Sequence, residues 1–223
     1  MPIRNRKSRR AAADVRADAL AAARHLLIAD GPQAVTLKAV ARALGMTHGN
    51  ITHHFGSVGG LHSELIGMMT RELTGIVAHL ASELRDRRAT VDEIVDTVFD
   101  AFGPGGATRL VAWVELSGKP ADLAPFHAAV GDLVDALTGE VPGRRKIDSA
   151  RVTLAVMLPA LGHALVSGAL KDELGIDERE VRAQVAGSLA ALLRLKRRHG
   201  STPPRAASSV VSEPRRPRRP VEA

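Results

Sequence analysis

Apolar residues recur along this chain at the three-to-four-residue spacing of amphipathic helices, and few segments show the strict alternation of a half-buried strand. The first helix is predicted over residues 14–30, and Gly31 and Pro32 end it, because glycine accepts a left-handed cap and proline cannot continue a helix. Two short helices are predicted next, over residues 36–44 and 47–55.

Six longer helices are predicted to follow the short pair. Thr90 and Glu93 form a capping box at the start of one of them, and Pro159 is expected to kink another. The six cover about residues 61–84, 90–102, 107–116, 122–139, 148–174 and 177–198. Aromatic residues make up 2% of the chain, so alanine, leucine and valine must form the core, and alanine and leucine favour helix. The predicted fold class is all-α.

The charge is unevenly distributed between the two ends and the middle of the chain. Residues 1–60 contain nine Lys and Arg against three Asp, a net of +6, while residues 61–198 have a net of −2 and residues 199–223 a net of +3. We therefore divide the chain into a flexible basic arm (1–12), a compact helical head (13–60), a helical body (61–199) and a disordered basic tail (200–223). A basic N-terminal quarter joined to a near-neutral body is typical of proteins that bind a polyanion through one domain.

The stretch LKAVARALGMTHGNITHHF, residues 37–55, has the form of a helix-turn-helix unit. Ala41 is small where the second short helix must cross the first, and Gly45 can adopt the positive φ of the turn. Met46 and Ile51 are predicted to point inward. The side chains predicted to meet base edges or phosphates are those of Thr36, Lys38, Thr47, His48, Gly49, Asn50, Thr52, His53 and His54. Asn50 is the strongest candidate, because an amide can pair with adenine through two hydrogen bonds.

The segment TLKAVARALGMTHGNITHHFGSVGGL resembles the DNA-binding motif of the TetR family of bacterial transcriptional regulators. The resemblance covers residues 14–65, and it rests on Thr36, Ala41, Gly45, Gly49, Ile51, the pair His54-Phe55, Ser57 and Leu61. It implies an N-terminal three-helix domain with the helix-turn-helix, followed by a C-terminal helical domain for ligand binding and dimerisation. It also implies a homodimer on a pseudo-palindromic double-stranded DNA operator and an unknown small-molecule effector.

Two positions depart from the pattern of this family. The family often has a tyrosine at the position of Thr52 and a lysine at that of Val58, and both usually contact the phosphate backbone. We expect phosphate contacts from the arm instead, through Arg4, Arg6, Lys7, Arg9 and Arg10.

The body offers candidates for a ligand cavity and for a dimer interface. Aromatic, methionine and histidine side chains at helical spacing are either cavity lining or ordinary core, and they are Met68, His79, Phe99, Phe102, Trp113, Phe126, Met157 and His163. Two apolar stripes on the last helices indicate a four-helix dimer interface, or serve the core of the chain itself. They consist of Leu154, Leu158, Leu161 and Leu165, and of Val181, Val185, Leu189 and Leu192.

Several other classes of function find little support in the sequence. His48, His53, His54 and His62 are interpreted as polar surface residues rather than metal ligands, because the chain has no cysteine and the neighbours His53 and His54 point about 100° apart on a helix. No nucleophile–base motif indicates an enzyme, no cofactor motif is present, and no segment predicts a membrane span, so we expect a cytoplasmic protein. The sequence predicts a DNA-binding transcriptional regulator, most simply a ligand-released repressor. The alternatives are a non-specific basic nucleic-acid-binding protein and a helical-bundle enzyme or carrier.

Overall fold

The computed structural model describes residues 3–139, 145–166, 172–175 and 177–199, with side chains for residues 14–193 of these ranges. Its described regular structure is helical, which confirms the predicted all-α class. The helices are α1 (Ile3–Asp30), α2 (Leu37–Ala43), α3 (His48–Phe55), α4 (Val58–Arg85), α5 (Val91–Phe102), α6 (Ala107–Leu116), α7 (Ala124–Gly139), α8 (Lys146–Leu165) and α9 (Glu178–His199). Two short 3-10 helices, Pro32–Ala34 and Pro120–Leu123, precede α2 and α7.

The ends of two helices differ from the prediction. α1 begins at Ile3 rather than residue 14, because Ala11 to Ala13 and the arginines before them favour helix and no residue there breaks it. The backbone of the predicted arm therefore continues α1, while its side chains lie outside those described. α8 ends at Leu165, where Val166 takes an extended conformation, rather than continuing towards residue 174. The predicted tail, residues 200–223, lies outside the described residues.

The head consists of α1, α2 and α3 packed around side chains that are fully buried. Ala19, Ala23 and Leu27 of α1 meet Val40 of α2 and Ile51 of α3, and none of the five is exposed. Because Ala19 and Ala23 are small, α1 can approach the two short helices closely, and this core is packed without large aromatic side chains from α1.

The body is a bundle in which α4 spans the height of the domain and packs most extensively on α7. At Gly67 the two helices touch so closely that a Cβ would lie 2.8 Å from Pro125 Cβ. α5, α8 and α9 complete the bundle, and α6 packs against the end of α4 nearest the head. Within the described residues no helix is long and apolar enough to cross a membrane.

A charged cluster ties α9 to α5. The Arg182 guanidinium donates to Asp96 Oδ1 at 3.0 Å, to Asp100 Oδ1 at 2.7 Å and to Glu178 Oε1 at 2.5 Å, and it lies over the Phe99 ring at 5.3 Å. The Arg182 hydrogen bond holds the pKa of Glu178 below its usual range, while the surrounding carboxylates raise the pKa of Arg182. The cluster therefore stabilises the folded state when its carboxylates are ionised.

Removing this guanidinium should destabilise the protein in a pH-dependent way. We expect Arg182→Met to lower the free energy of unfolding by about 1–3 kcal/mol at pH 7, because three acids lose their shared donor. Since the pKa of Glu178 is depressed on folding, its contribution is complete above its unfolded pKa and disappears as the pH falls through the folded value. Urea denaturation of the parent and of Arg182→Met should therefore show a smaller difference in the free energy of unfolding at pH 3 than at pH 7. Arg179→Met, at an exposed position one turn away, is the control and should change neither value.

Candidate nucleic-acid interface and body cavity

Each helix of the helix-turn-helix unit starts with a threonine cap. Thr36 Oγ1 accepts a hydrogen bond from the Ala39 amide at 3.1 Å, and Thr47 Oγ1 accepts one from the Asn50 amide at 3.3 Å. Between them Gly45 has a φ of +65°, and the Met46 amide donates to Ala41 O at 2.8 Å. These caps fix where α3 begins, and therefore which of its side chains face outward.

The inner and outer faces of α3 are cleanly separated. Ile51 and Phe55 are buried in the head. The exposed residues of the unit include Thr36, Lys38, Thr47, His48, Gly49, Asn50 and His53, all of them predicted to face DNA. The outer face thus combines amide, imidazole and hydroxyl groups beside a lysine, which can bond to base edges and phosphates.

Thr52 and His54 are half-buried rather than outward-facing. The Thr52 hydroxyl donates to His48 O at 2.9 Å, one turn back on the same helix, and the His54 ring packs edge-on to that of His53. The hydroxyl proton of Thr52 is therefore already engaged within α3. Val58, the other departure from the family pattern, is 40% exposed in the first turn of α4 and offers no hydrogen bond.

Two residues that the sequence did not single out for this role hold the helix-turn-helix unit on the body. Arg16 of α1 lies 5.4 Å from the centre of the Phe55 ring, and its Nε donates to Glu64 of α4 at 3.0 Å. His62 of α4, interpreted from the sequence as a surface residue, is instead buried, and its Nε2 lies 2.8 Å from Val35 O. Arg16 and Glu64 are 48 residues apart, so no local pattern connects them. Both contacts join α4 to the head.

The sharp connection between α3 and α4 depends on glycine. Gly56 has a φ of +72°, Ser57 Oγ accepts from the Gly60 amide at 3.0 Å, and a Cβ on Gly60 would lie 2.1 Å from Phe55 O. By contrast, a Cβ on Gly49, in the exposed face of α3, would have no atom within 4 Å.

Alanine at these two glycines is expected to have opposite effects on stability. Gly60→Ala should lower the free energy of unfolding by about 2–4 kcal/mol, because backbone must shift to relieve the contact. Gly49→Ala should raise it by about 0.5–1 kcal/mol, because alanine favours helix and meets no neighbour. Thermal melting followed by circular dichroism measures both. A stabilising Gly60→Ala would contradict the geometry of the junction.

The body contains a partly open cavity of about 880 Å³. Its wall is formed mainly by one face each of α4, α5, α7 and α8, with contributions from α6, α9 and Arg24 of α1. Three of the predicted cavity residues, Phe102, Phe126 and Met157, lie in this wall. The volume is within the range of small-molecule sites in proteins.

The other predicted cavity residues lie outside the wall. Phe99 is buried beneath Arg182, with the His163 ring 5.5 Å away, and His163 Nε2 lies 3.6 Å from Glu178 Oε2. Met68 is half-buried and packs against the core, while His79 and Trp113 are exposed. Most of the wall is aliphatic, and aliphatic wall residues have the same pattern in sequence as core residues.

The two apolar stripes of the last helices have different environments. On α8, Leu154, Leu158 and Leu165 are exposed and Leu161 is half-buried. On α9, Val185 and Leu189 are buried in the core of the chain, and Val181 and Leu192 are half-buried. Val185 and Leu189 therefore pack within the chain, which is the alternative left open for this stripe, and a dimer interface along α9 stays a prediction. On the α8 stripe, Leu154, Leu158 and Leu165 are thus left exposed by the part of the chain that the structure describes.

Comparison with known proteins supports the assignment of the head. Residues 19–64 match the model of the bacterial regulatory proteins of the tetR family, in the N-terminal domain of that family. The crystal structure of a putative TetR-family transcriptional regulator from Mesorhizobium loti superposes with a TM-score of 0.58 at 13% sequence identity, covering 82% of this chain and 97% of that chain. No curated protein sequence matches the chain. The match over residues 19–64 thus identifies the head as similar to the DNA-binding domain of the tetR family, and the likeness over the rest of the chain is one of fold; together they support a DNA-binding transcriptional regulator.

Proposed function

We propose that the protein is a cytoplasmic, non-enzymatic repressor that binds a pseudo-palindromic operator as a homodimer and is released by a small molecule. The observation that carries the DNA-binding part is the exposed face of α3, set by the two threonine caps, in an N-terminal region whose net charge over residues 1–60 is +6. An α-helix that presents polar side chains in this way fits the major groove.

The residues of the face divide into base readers and phosphate contacts. Asn50 and His53 stand on the outer side of α3, where their side chains can reach base edges. Lys38 and the free N–H groups at the starts of α2 and α3 suit phosphates, which helix N-termini attract. Arg4, Arg6, Lys7, Arg9 and Arg10 would add phosphate contacts from the start of α1, although their side chains lie outside those described.

The uncovered α8 stripe supports dimerisation through that helix. Leu154, Leu158, Leu161 and Leu165 follow one another at spacings of three and four residues along one line of the helix. Three exposed leucines and a half-buried one along a single helix face are uncommon on a monomer and are typical of an interface. A second copy with the same stripe would bury it in an isologous contact.

The effector would act through α4, which both lines the cavity and holds the head. Residues Ile66 to Arg85 of α4 form one side of the cavity, while Glu64 and His62, one turn earlier, contact the head. A ligand that shifts α4 would change the separation of the two α3 helices in a dimer. This is a coupling between two sites through one rigid element.

Selection of bound sequences from random double-stranded DNA by the full-length protein tests the proposal. We expect an enriched site with two inverted half-sites centred about one helical turn, or a multiple of it, apart. Enrichment of a site without two-fold symmetry would contradict the dimer. Recovery of no preferred sequence would contradict specific readout and favour a general affinity for polyanions.

Lys38→Ala should separate phosphate contact from base reading. We expect the variant to bind the selected operator and random DNA more weakly by similar factors, because phosphates carry no sequence information. The slope of log Kd against log salt should become shallower by about one unit for each half-site. Fluorescence anisotropy over a salt series measures it. A loss confined to the operator would instead assign Lys38 to a base.

A further inference from the structure

The wall of the body cavity favours a ligand with an aliphatic body. Its aromatic side chains within the described residues are Phe102 and Phe126, and the remaining apolar positions are Leu, Ile, Val, Met and Ala. Flat aromatic ligands are usually held by stacking or edge-on contacts with aromatic side chains, of which this wall has few. An aliphatic chain needs only apolar area and fits such a wall.

The polar atoms along the middle of the wall are already engaged. Thr70 Oγ1 donates to Ile66 O at 2.8 Å, Thr74 Oγ1 to Arg71 O at 3.2 Å, and Thr153 Oγ1 to Ser149 O at 3.0 Å. Each hydroxyl thus donates its hydrogen bond to a backbone carbonyl of its own helix, and none of these three hydroxyls remains as a donor for a ligand. The wall also follows α4 from Ile66 to Arg85, about 28 Å at 1.5 Å per residue. The cavity therefore suits an extended molecule without polar groups along its body.

The ionisable residues of the wall favour a negative charge on that molecule. They are three arginines, Arg24, Arg85 and Arg145, and one acid, Asp148. Arg145 and Asp148 pair with each other at 3.4 Å, and the Arg145 side chain is 73% exposed. The carboxylate of Asp148 would repel an anion there. Arg85 is the last residue of α4. It lies about 20 Å along that helix from Glu72, the ion-pair partner of Arg24, so the two arginines belong to different parts of the wall.

Arg24 is the arginine best placed to bind an anion. Its Nη1 donates to Glu72 Oε2 at 2.8 Å, and this is one hydrogen bond from a group with five N–H donors. Glu72 is not among the wall residues, the wall's acid Asp148 pairs with Arg145, and the Arg24 side chain is 41% exposed, less than that of Arg145. A guanidinium pairs equally well with carboxylate and phosphate oxygens.

We propose that the cavity binds an unbranched aliphatic molecule with an anionic head group, a carboxylate or a phosphate, and that Arg24 holds that head group. The inference rests on the proposed function, since it names the class of effector for the same cavity. Arg24 belongs to α1 and Glu72 to α4, so a head group on Arg24 competes with an ion pair between head and body. The ligand would thereby loosen the link between α1 and α4.

Calorimetric titration of the full-length protein with dodecanoate, dodecyl phosphate and 1-dodecanol tests the assignment without DNA. We expect at least one of the two anions to bind about ten- to a hundredfold more tightly than the alcohol, and the tighter anion identifies the head group. Arg24→Gln should remove this preference. Arg85→Gln and Arg145→Gln, the same change at the other wall arginines, should retain it.

Glu72→Gln separates ligand binding from a merely structural ion pair. If Arg24 binds the head group, removing its competitor should leave anion binding as tight as before or tighter. Equal losses in Arg24→Gln and Glu72→Gln would overturn the proposal, as would equal affinity for alcohol and anions, or a preference that survives Arg24→Gln. A protein that selects a two-fold operator but binds none of the three probes would overturn the ligand class alone. The lack of any preferred DNA site would overturn the regulatory function, whatever the probes do.

Discussion

Replacing Asn50 and His53 together by alanine is expected to abolish operator preference while leaving the head folded. Both side chains are exposed on α3, and neither contributes to the buried contacts of Ile51 and Phe55. A good pair of hydrogen bonds to a base edge contributes about 1–3 kcal/mol of discrimination. The loss of both readers should weaken operator binding by about 10²–10³-fold in each half-site, with affinity for random DNA almost unchanged.

The measurement is the ratio of the dissociation constant for random DNA to that for the operator, both taken at one salt concentration. His127→Ala is a matched control, because His127 is an exposed histidine on α7, far along the chain from α3. It should leave the ratio unaltered. The salt slope of the double variant should also stay that of the parent, since base readers release no counterions. An unchanged ratio in the double variant would show that α3 does not read the bases.

The helix-turn-helix unit could be predicted from sequence because its signals are local. The threonine caps, Gly45 and the buried Ile51 all lie within about twenty residues of one another, and together they fix both helices and the outward face. The structure gives α2 over Leu37–Ala43 and α3 over His48–Phe55, within one residue of the predicted ends. Thr52 is the exception, because a threonine in mid-helix can bond to the carbonyl four residues back.

The cavity could not be predicted in the same way. Whether an apolar residue faces a cavity, the core or a partner depends on how its helix is rotated in the bundle, and that rotation is set by distant contacts such as Gly67 against Pro125. Periodicity identifies an apolar face but not what covers it. For this reason Val185 and Leu189 looked like Leu154 and Leu158 in sequence. Nothing in the sequence indicated that Arg24 lines the cavity, since its ion-pair partner Glu72 lies 48 residues away.

Leu158→Asp should convert the protein to a monomer and remove operator binding at concentrations where the parent binds. Leu158 is 57% exposed in the middle of the α8 stripe, so the change costs the folded monomer little but places a charge at the centre of the proposed interface. A carboxylate in an apolar contact loses its hydration without gaining a partner, and in a two-fold dimer two such charges meet. Sedimentation equilibrium should therefore detect a monomer with the parent's thermal stability or slightly less.

The loss of the proposed dimer should weaken operator binding strongly, because the dimer would hold two α3 helices on one duplex. After the first half-site is bound, the second is presented at an effective concentration set by the dimer, and such linkage commonly contributes 10²–10⁴-fold. A monomer lacks this gain in affinity, so its affinity for the full operator should equal its affinity for one half-site. Leu116→Asp is the control: Leu116 is 88% exposed at the end of α6, outside the stripe, and the variant should remain dimeric and bind normally. If Leu158→Asp stayed dimeric with full affinity, the interface would have to lie elsewhere than the α8 stripe.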